Sequence, residues 1–238
     1  MTLIFSVLLL LQPNWTADIN SWGIGILSFQ KEANAYANRY QLPLAQKLPY
    51  FDGPNGKFAG YLLFQPPNED LPYQEFYAFP LSEERQIVSQ NDFQETGYEV
   101  SSLLVFERRN NWIKVLHHTL KGGKWVNLEG LKAHDLQFVD WLQFLVDNHH
   151  AYYPSEYGLN LRKGPGVSHE RLFTVKGDLY RIQLTGKTAL GLWAEVNVEE
   201  YNKHPCDDGE LTGKKWTGWI KVLDDTGYPN IWFDTRGC

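Results

Sequence analysis

Cys206, in the polar stretch "KHPCDDG", is the one cysteine placed mid-chain as a nucleophile would be. A thiol nucleophile needs a neighbouring base, most often histidine. All seven histidines precede Cys206, and a second cysteine, Cys238, is available to pair with it. A disulfide or an inert thiol is expected there instead. The pairs His117-His118 and His149-His150 suggest metal at first sight. Adjacent residues on a strand point to opposite faces, so each pair offers one ligand at most to a given site. No Cys or carboxylate stands around them at a zinc-like spacing, which favours solvated loop or linker positions. "CDDGE" clusters carboxylates as part of a calcium loop would, without the remaining ligand ladder or a closing Glu. Gly23 and Gly25 in "WGIGIL" lack the helix start of a dinucleotide fingerprint. Glu199-Glu200 and Asp224-Asp225 are adjacent, which suits turns rather than an opposed acid and base. The expectation is no catalytic residue, no metal and no cofactor.

The aromatic residues are the remaining candidates, and they make up 15% of the chain. Trp112, Trp125, Trp193 and Trp219 fall in strand-like runs where a small β-domain needs bulk, so a core position is expected for each. Tyr180 and Trp193 could also line a groove beside Gly164-Pro165-Gly166. Tyr152, Tyr153, Tyr157, Tyr201, Trp216 and Trp232 lie near loops and should be partly exposed. Aromatic walls of this kind suit extended peptides or glycan-linked peptides. They serve equally well to pack two domains together.

Short strands must position these residues. In "LNLRKGPG", Leu159 and Leu161 alternate with Asn160 and Arg162, the period of a half-buried strand. Pro165 cannot donate to a ladder, and its flanking glycines permit a tight turn. "LFTVKGDLYRIQL" reads as two strands hinged at Lys176-Gly177-Asp178. "LWAEVNV" and "GWIKVL" are further strands, the latter stopped by Asp224-Asp225-Thr226-Gly227. Many short strands at this spacing indicate a small barrel or sandwich.

The order "LNLRKGPG", "KGDLYRIQL", "LWAEV", "TGWIKV" resembles the bacterial SH3 family over roughly residues 155–223. It departs from that pattern in a long insertion, "EEYNKHPCDDGELTGKK", and in the extension after Leu223. An internal repeat accompanies it. Leu48, Tyr50, Gly53 and Pro54 match Leu159, Leu161, Gly164 and Pro165. Trp112 and Val115 match Trp193 and Val196, and Trp125 matches Trp219. The first copy carries its own insertion, residues 65–97, which is polar, Pro-rich and expected to be a loop. One helix is expected over "DLQFVDWLQFLVDN", from Leu136 to Val146, capped by Asp135. The segment "FQKEANAYANRY" reads as helix or loop.

These readings give a mainly β chain of two small SH3-like antiparallel barrels with a short connecting helix. Residues 1–17 are expected to be a signal peptide, because "LIFSVLLLLQ" has the length of a secretory apolar run and Ala17 ends it. Residues 18–150 form the degenerate copy and residues 151–238 the clear one. The resemblance implies a non-catalytic binding module in a periplasmic or secreted protein. Its expected ligand is a peptidoglycan stem peptide or a peptide of an envelope protein, held by Tyr157, Arg162, Tyr180, Trp193 and Trp216. The alternatives are barrels that assemble with a protein partner without wall affinity, or a cell-wall hydrolase. A formal charge of −6 without a Lys/Arg run argues against nucleic acid, and no later segment is apolar enough to span a membrane. Export would place Cys206 and Cys238 in an oxidising compartment. A bridge between them would tie the insertion to the C-terminal extension. Pairing between chains is the competing reading.

Overall fold

The computed structural model of the chain describes residues 22–29, 46–65, 75–81, 84–97, 100–148, 151–154 and 157–233. The expected signal peptide, "FQKEANAYANRY" after Phe29, His149-His150 and Cys238 lie outside these residues, as does the side chain of Cys206; so does any bridge between the two cysteines. The fold is mainly β and every ladder is antiparallel. The chain forms two compact units. One contains the described residues up to Asn148 together with Leu223–Pro229; the other contains residues 151–222 and Asn230–Phe233.

The first unit holds β1 (Gly25–Phe29), β2 (Gln46–Phe51), β3 (Phe58–Gln65), β4 (Glu75–Pro80), β5 (Gln86–Ile87), β6 (Phe93–Gly97), β7 (Val100–Val105), β8 (Glu107–Arg109), β9 (Trp112–Val115), β10 (Lys124–Asn127) and β11 (Leu136–Asp140). Two short helices, α1 (Leu128–Leu131) and α2 (Trp141–Asp147), complete it. A seven-stranded sheet runs β5-β4-β3-β2-β10-β9-β8 and a four-stranded sheet runs β11-β1-β7-β6. Leu48, Tyr50, Leu62, Phe64, Leu103, Ile113, Val115 and Val126 form its buried core. Tyr50 lies across from Gly60, where an added Cβ would sit 2.6 Å from the Tyr50 hydroxyl and 2.2 Å from the Phe79 carbonyl. Only glycine leaves room for that ring.

Two expectations need correcting here. The insertion after β3 is not a loop: β4 and β5 widen the seven-stranded sheet and β6 pairs with β7, burying Phe76, Tyr77 and Ala78. Its apolar alternation outweighed its prolines. The expected helix begins at Trp141, not Leu136. Asp135 adopts a left-handed conformation that interrupts the run, and Leu136 to Asp140 pair with β1. Leu136 and Phe138 also fit a period of two, and the free edge of β1 satisfies that pattern. Asp140 caps α2 by accepting from the Gln143 amide at 2.9 Å. Trp141 is fully buried, and its indole N–H donates to the Trp22 carbonyl at 3.1 Å.

The second unit holds β12 (Tyr153–Pro154), β13 (Leu159–Arg162), β14 (Arg171–Val175), β15 (Tyr180–Ala189), β16 (Trp193–Tyr201), β17 (Leu211–Lys221) and β18 (Ile231–Trp232). Its five-stranded sheet runs β14-β13-β17-β16-β15, and β12 pairs with β18. Among the described residues no ladder joins the outer strands β14 and β15. Leu161, Ile182, Ala194, Val196, Val198, Ile220 and Val222 are buried along this sheet.

The repeat read from sequence coincides with the strand register. Phe51 pairs with Trp125 in the first unit, and Arg162 with Trp219 in the second. Trp125 faces Lys114 as Trp219 faces Glu195, and Val126 faces Ile113 as Ile220 faces Ala194. A bulge falls between Tyr50 and Phe51 opposite Gly60 and Phe58, and another between Leu161 and Arg162 opposite Phe173 and Arg171. Strands β2, β3, β9 and β10 are therefore matched by β13, β14, β16 and β17, pair for pair. Tyr50 and Leu161, the matched inward positions, are both fully buried.

Candidate ligand-binding face

Alternation along β13 to β17 sorts the candidate residues onto two faces. Leu161, Phe173, Tyr180 and Trp216 share the face that carries Ile182, Val198 and Ile220. Arg162 and Trp219 share the opposite face. The five residues expected to form one ligand site therefore do not converge. Tyr180 and Trp216 do come together, while Arg162 sits on the other face with its Nη1 donating to the His169 carbonyl at 2.7 Å. Tyr157 is exposed, and Trp193 is buried at 5% exposure and lines no open groove.

The residue that joins Tyr180 to Trp216 is Phe173. Its ring centroid lies 4.6 Å from that of Trp216 and 5.9 Å from that of Tyr180, with Tyr180 and Trp216 6.4 Å apart. All three rings are half-buried. They close the gap between the outer strands, since Phe173 lies on β14 and Tyr180 on β15. The alternation in "RLFTV" placed Phe173 with Val175 and was the signal available for it.

A polar rim borders the rings. The Tyr180 hydroxyl donates to Glu200 at 3.3 Å, Lys214 Nζ lies 2.7 Å from the same carboxylate, and the Thr212 hydroxyl donates to it at 3.1 Å. The Lys214 and Thr212 hydrogen bonds hold the Glu200 carboxyl below the usual range despite opposing desolvation. Burial, and then the Glu200 charge, push the Tyr180 phenol up. At neutral pH the rim is thus a neutral phenol, a carboxylate and an ammonium beside apolar ring faces. It can pack an apolar side chain and offer both a donor and an acceptor to a polar backbone.

Glu199 and Glu200 occupy β16, not the turn expected for adjacent carboxylates, and therefore point to opposite faces. Glu199 is buried between Arg181 and Lys215, its cross-strand neighbours, with Lys215 Nζ at 2.5 Å. Those two hydrogen bonds, Lys215's first, lower its pKa against the cost of burial. This row ties β15, β16 and β17 together behind the aromatic face.

Two other expectations fall differently. Trp112 and Trp125 are buried, but Trp219 is half-buried. Tyr152 and Trp232 are buried rather than loop-exposed, Tyr152 through a bridge to Ile182 with both bonds at 2.8 Å. His117 and His118 are exposed, with ring centroids 4.9 Å apart. The fully buried Asp92 went unnoticed in the sequence: its carboxylate accepts from the His118 amide at 2.9 Å and from the Thr119 amide and hydroxyl at 2.6 Å each. It pins the turn between β9 and β10 to the insertion. No helix among the described residues is long and apolar enough to cross a membrane.

No family model matches the chain, and no curated protein and no solved structure is detectably similar to it. What defines its class is internal: a mainly β, antiparallel protein whose two units repeat one set of strands. The aromatic face belongs to the second unit.

Proposed function

We propose that the two units are SH3-like barrels of an exported, non-catalytic binding protein. Its ligand is an extended peptide, from the cell wall or from an envelope protein, and the ring face of the second unit holds it. The matched bulges and ladders support the barrel reading. The observation that carries the binding reading is the half-exposed trio Phe173, Tyr180 and Trp216 beside the Glu200–Lys214 pair. Half-exposed rings next to ordered polar groups are the usual makings of a peptide anchor. In the first unit the matched positions are Gly60, the counterpart of Phe173, and Gly122, counted back from Trp125 as Trp216 is from Trp219. A face that packing alone required would have rings in both copies.

The test is capture of the mature protein on purified peptidoglycan and, separately, on an envelope extract. Wild type is expected to be retained on one of them, and Trp216→Ala to be lost from it. Equal retention of both proteins would overturn the assignment of the face. Retention on neither would overturn peptide binding.

A further inference from the structure

The two units treat the same edge differently. In the first, β3 has β2 on one side and β4 on the other. The β3–β4 ladder runs from Gly60 opposite Pro80 to Gln65 opposite Glu75, and the Leu81 amide extends it by donating to the Ala59 carbonyl at 3.0 Å. In the second unit β14 is the counterpart of β3, with Leu172, Phe173, Thr174 and Val175 standing where Ala59, Gly60, Tyr61 and Leu62 stand. Burial matches too: Leu62 and Val175 are fully buried, Tyr61 and Thr174 exposed. Yet β14 pairs with β13 alone and ends its sheet among the described residues. The insertion that supplies β4 is replaced by the short turn at Lys176–Leu179.

We propose that the outer edge of β14 accepts an extended segment of a partner protein by strand addition, as β3 accepts β4. This rests on the peptide-binding reading and specifies its mode. A strand laid antiparallel on β14 places alternate side chains on the face of Phe173, beside Tyr180 and Trp216, which calls for apolar residues at every second position. In β4 those positions are Phe76 and Ala78, both buried. Charge specifies the ends. Arg171 and Lys176 bracket the edge, both exposed and neither in an ion pair among the described residues. The partner segment is therefore alternately apolar and bears carboxylates at its flanks.

The chain's own sequence provides the probe. The peptide EFYAFPLSEE, residues 75–84, has apolar residues at the required positions Phe76, Ala78 and Pro80 and acidic residues at both ends. Because the Leu81 amide faces β3, the amides of Tyr77 and Phe79 face it as well, and those of Phe76 and Ala78 face away. Titration of this peptide into isotope-labelled full-length protein should shift the amides of residues 171–175. N-methylation at Tyr77 and Phe79 removes two inward donors and should weaken binding about tenfold or more. N-methylation at Phe76 and Ala78 should change it less than about threefold. Arg171→Glu combined with Lys176→Glu should also weaken it several-fold.

Equal effects of the two methylation patterns would overturn strand addition. So would shifts confined to β3 and β4, or absence of binding. Protection of residues 171–175 without peptide, in a protein that sediments as a dimer, would assign the edge to a second copy of this chain and overturn the proposal. Binding that ignores both methylation patterns but is lost in Trp216→Ala would leave the ring face standing and strand addition refuted. Binding that follows the methylation pattern and survives Trp216→Ala would do the reverse.

Discussion

The two units share strand order, register and a bulge, and differ in what was added to that frame. The first extended sideways. Its insertion after β3 became β4, β5 and β6, of which β4 covers the edge of β3, and Asp92 within it fixes a short β9–β10 connection. The second extended lengthwise. Where β9 has four residues, β16 has nine, and β17 runs alongside it for eleven. The added length carries Glu199, Glu200, Lys214 and Trp216. The matched outer face changed as well: Phe51, whose ring meets Trp112 at 5.2 Å, and Phe58 are replaced by Arg162 and Arg171. One copy closed its surfaces with its own chain, and the other left an edge, rings and charges accessible. On the proposed reading, the duplicated frame divides structural and binding roles without changing its register.

The largest contrast should come from matched inward positions. Tyr50→Ala removes a fully buried ring seated over Gly60 and should cost about 3–5 kcal/mol. Phe173, opposite the matched residue Leu161, is half-buried, and Phe173→Ala should cost less, in proportion to the smaller share of its area that is hidden. Denaturant unfolding followed by amide exchange, which resolves the two units, measures both. Equal losses would show that the ring face is core and remove the contrast.

Next comes the ion row that only the long hairpin possesses. Glu199→Gln leaves Arg181 and Lys215 without their carboxylate and should cost about 2 kcal/mol at neutral pH. Glu199 has a lowered folded pKa, so its contribution is complete above the unfolded carboxyl value of about 4.3. It is lost as pH falls through the depressed folded value. The stability gap between wild type and Glu199→Gln should therefore be constant near neutrality and close in acid. A gap that persists when the carboxyl is protonated would mean that shape, not charge, matters there.

Trp219 gives a smaller effect. Its match, Trp125, is buried under Arg109, whose guanidinium carbon lies 5.1 Å from the ring centroid. Ala189 stands where Arg109 does, and Trp219 is half-buried. Trp125→Ala should cost about 3–5 kcal/mol, and Trp219→Ala less, in proportion to the smaller share of its area that is hidden. Unfolding of the two variants compares them directly.

Much of the frame was legible because two independent patterns agreed. Alternation identified β13, β16 and β17, and the spacing of Trp112, Trp125, Trp193 and Trp219 matched copies whose ladders proved to be in register. Errors arose where two periods fit the same residues. Leu136 fits a helical period with Val139 and Leu142 and a strand period with Phe138, and only the unpaired edge of β1 decides between them. Prolines at 66, 67, 72 and 80 concealed β4, since a proline at a strand end does not prevent the ladder before it. The site was half legible. Tyr180 and Trp216 were singled out by residue type, but placing Arg162 with them ignored the pleat. Phe173 was overlooked because its partner strand could not be known from local sequence. Asp92 gave no local sign, since its partners His118 and Thr119 belong to another turn.

The smallest expected effect is a gain. The β8–β9 hairpin turns through two residues and the β15–β16 hairpin through three; the first loop residue of each, Asn110 and Leu190, adopts positive φ, 52° and 56°. Asparagine tolerates this region because its short polar side chain bonds locally. A leucine there incurs a steric cost of about 1 kcal/mol, and Leu190 recovers little by burial, being 72% exposed. Its nearest compensation is the 163–170 turn, where Leu190 Cδ1 lies 3.9 Å from the Cβ position of Gly166. If that contact contributes little, Leu190→Asn, which installs the first unit's residue, should stabilise the second unit by about 0.5–1 kcal/mol. Amide exchange in β15 and β16 would report the gain. A loss instead would mean that Leu190 holds the Gly164-Pro165-Gly166 turn in place. The second unit would then depend on an apolar contact at a hairpin tip where the first unit needs only a turn-forming residue.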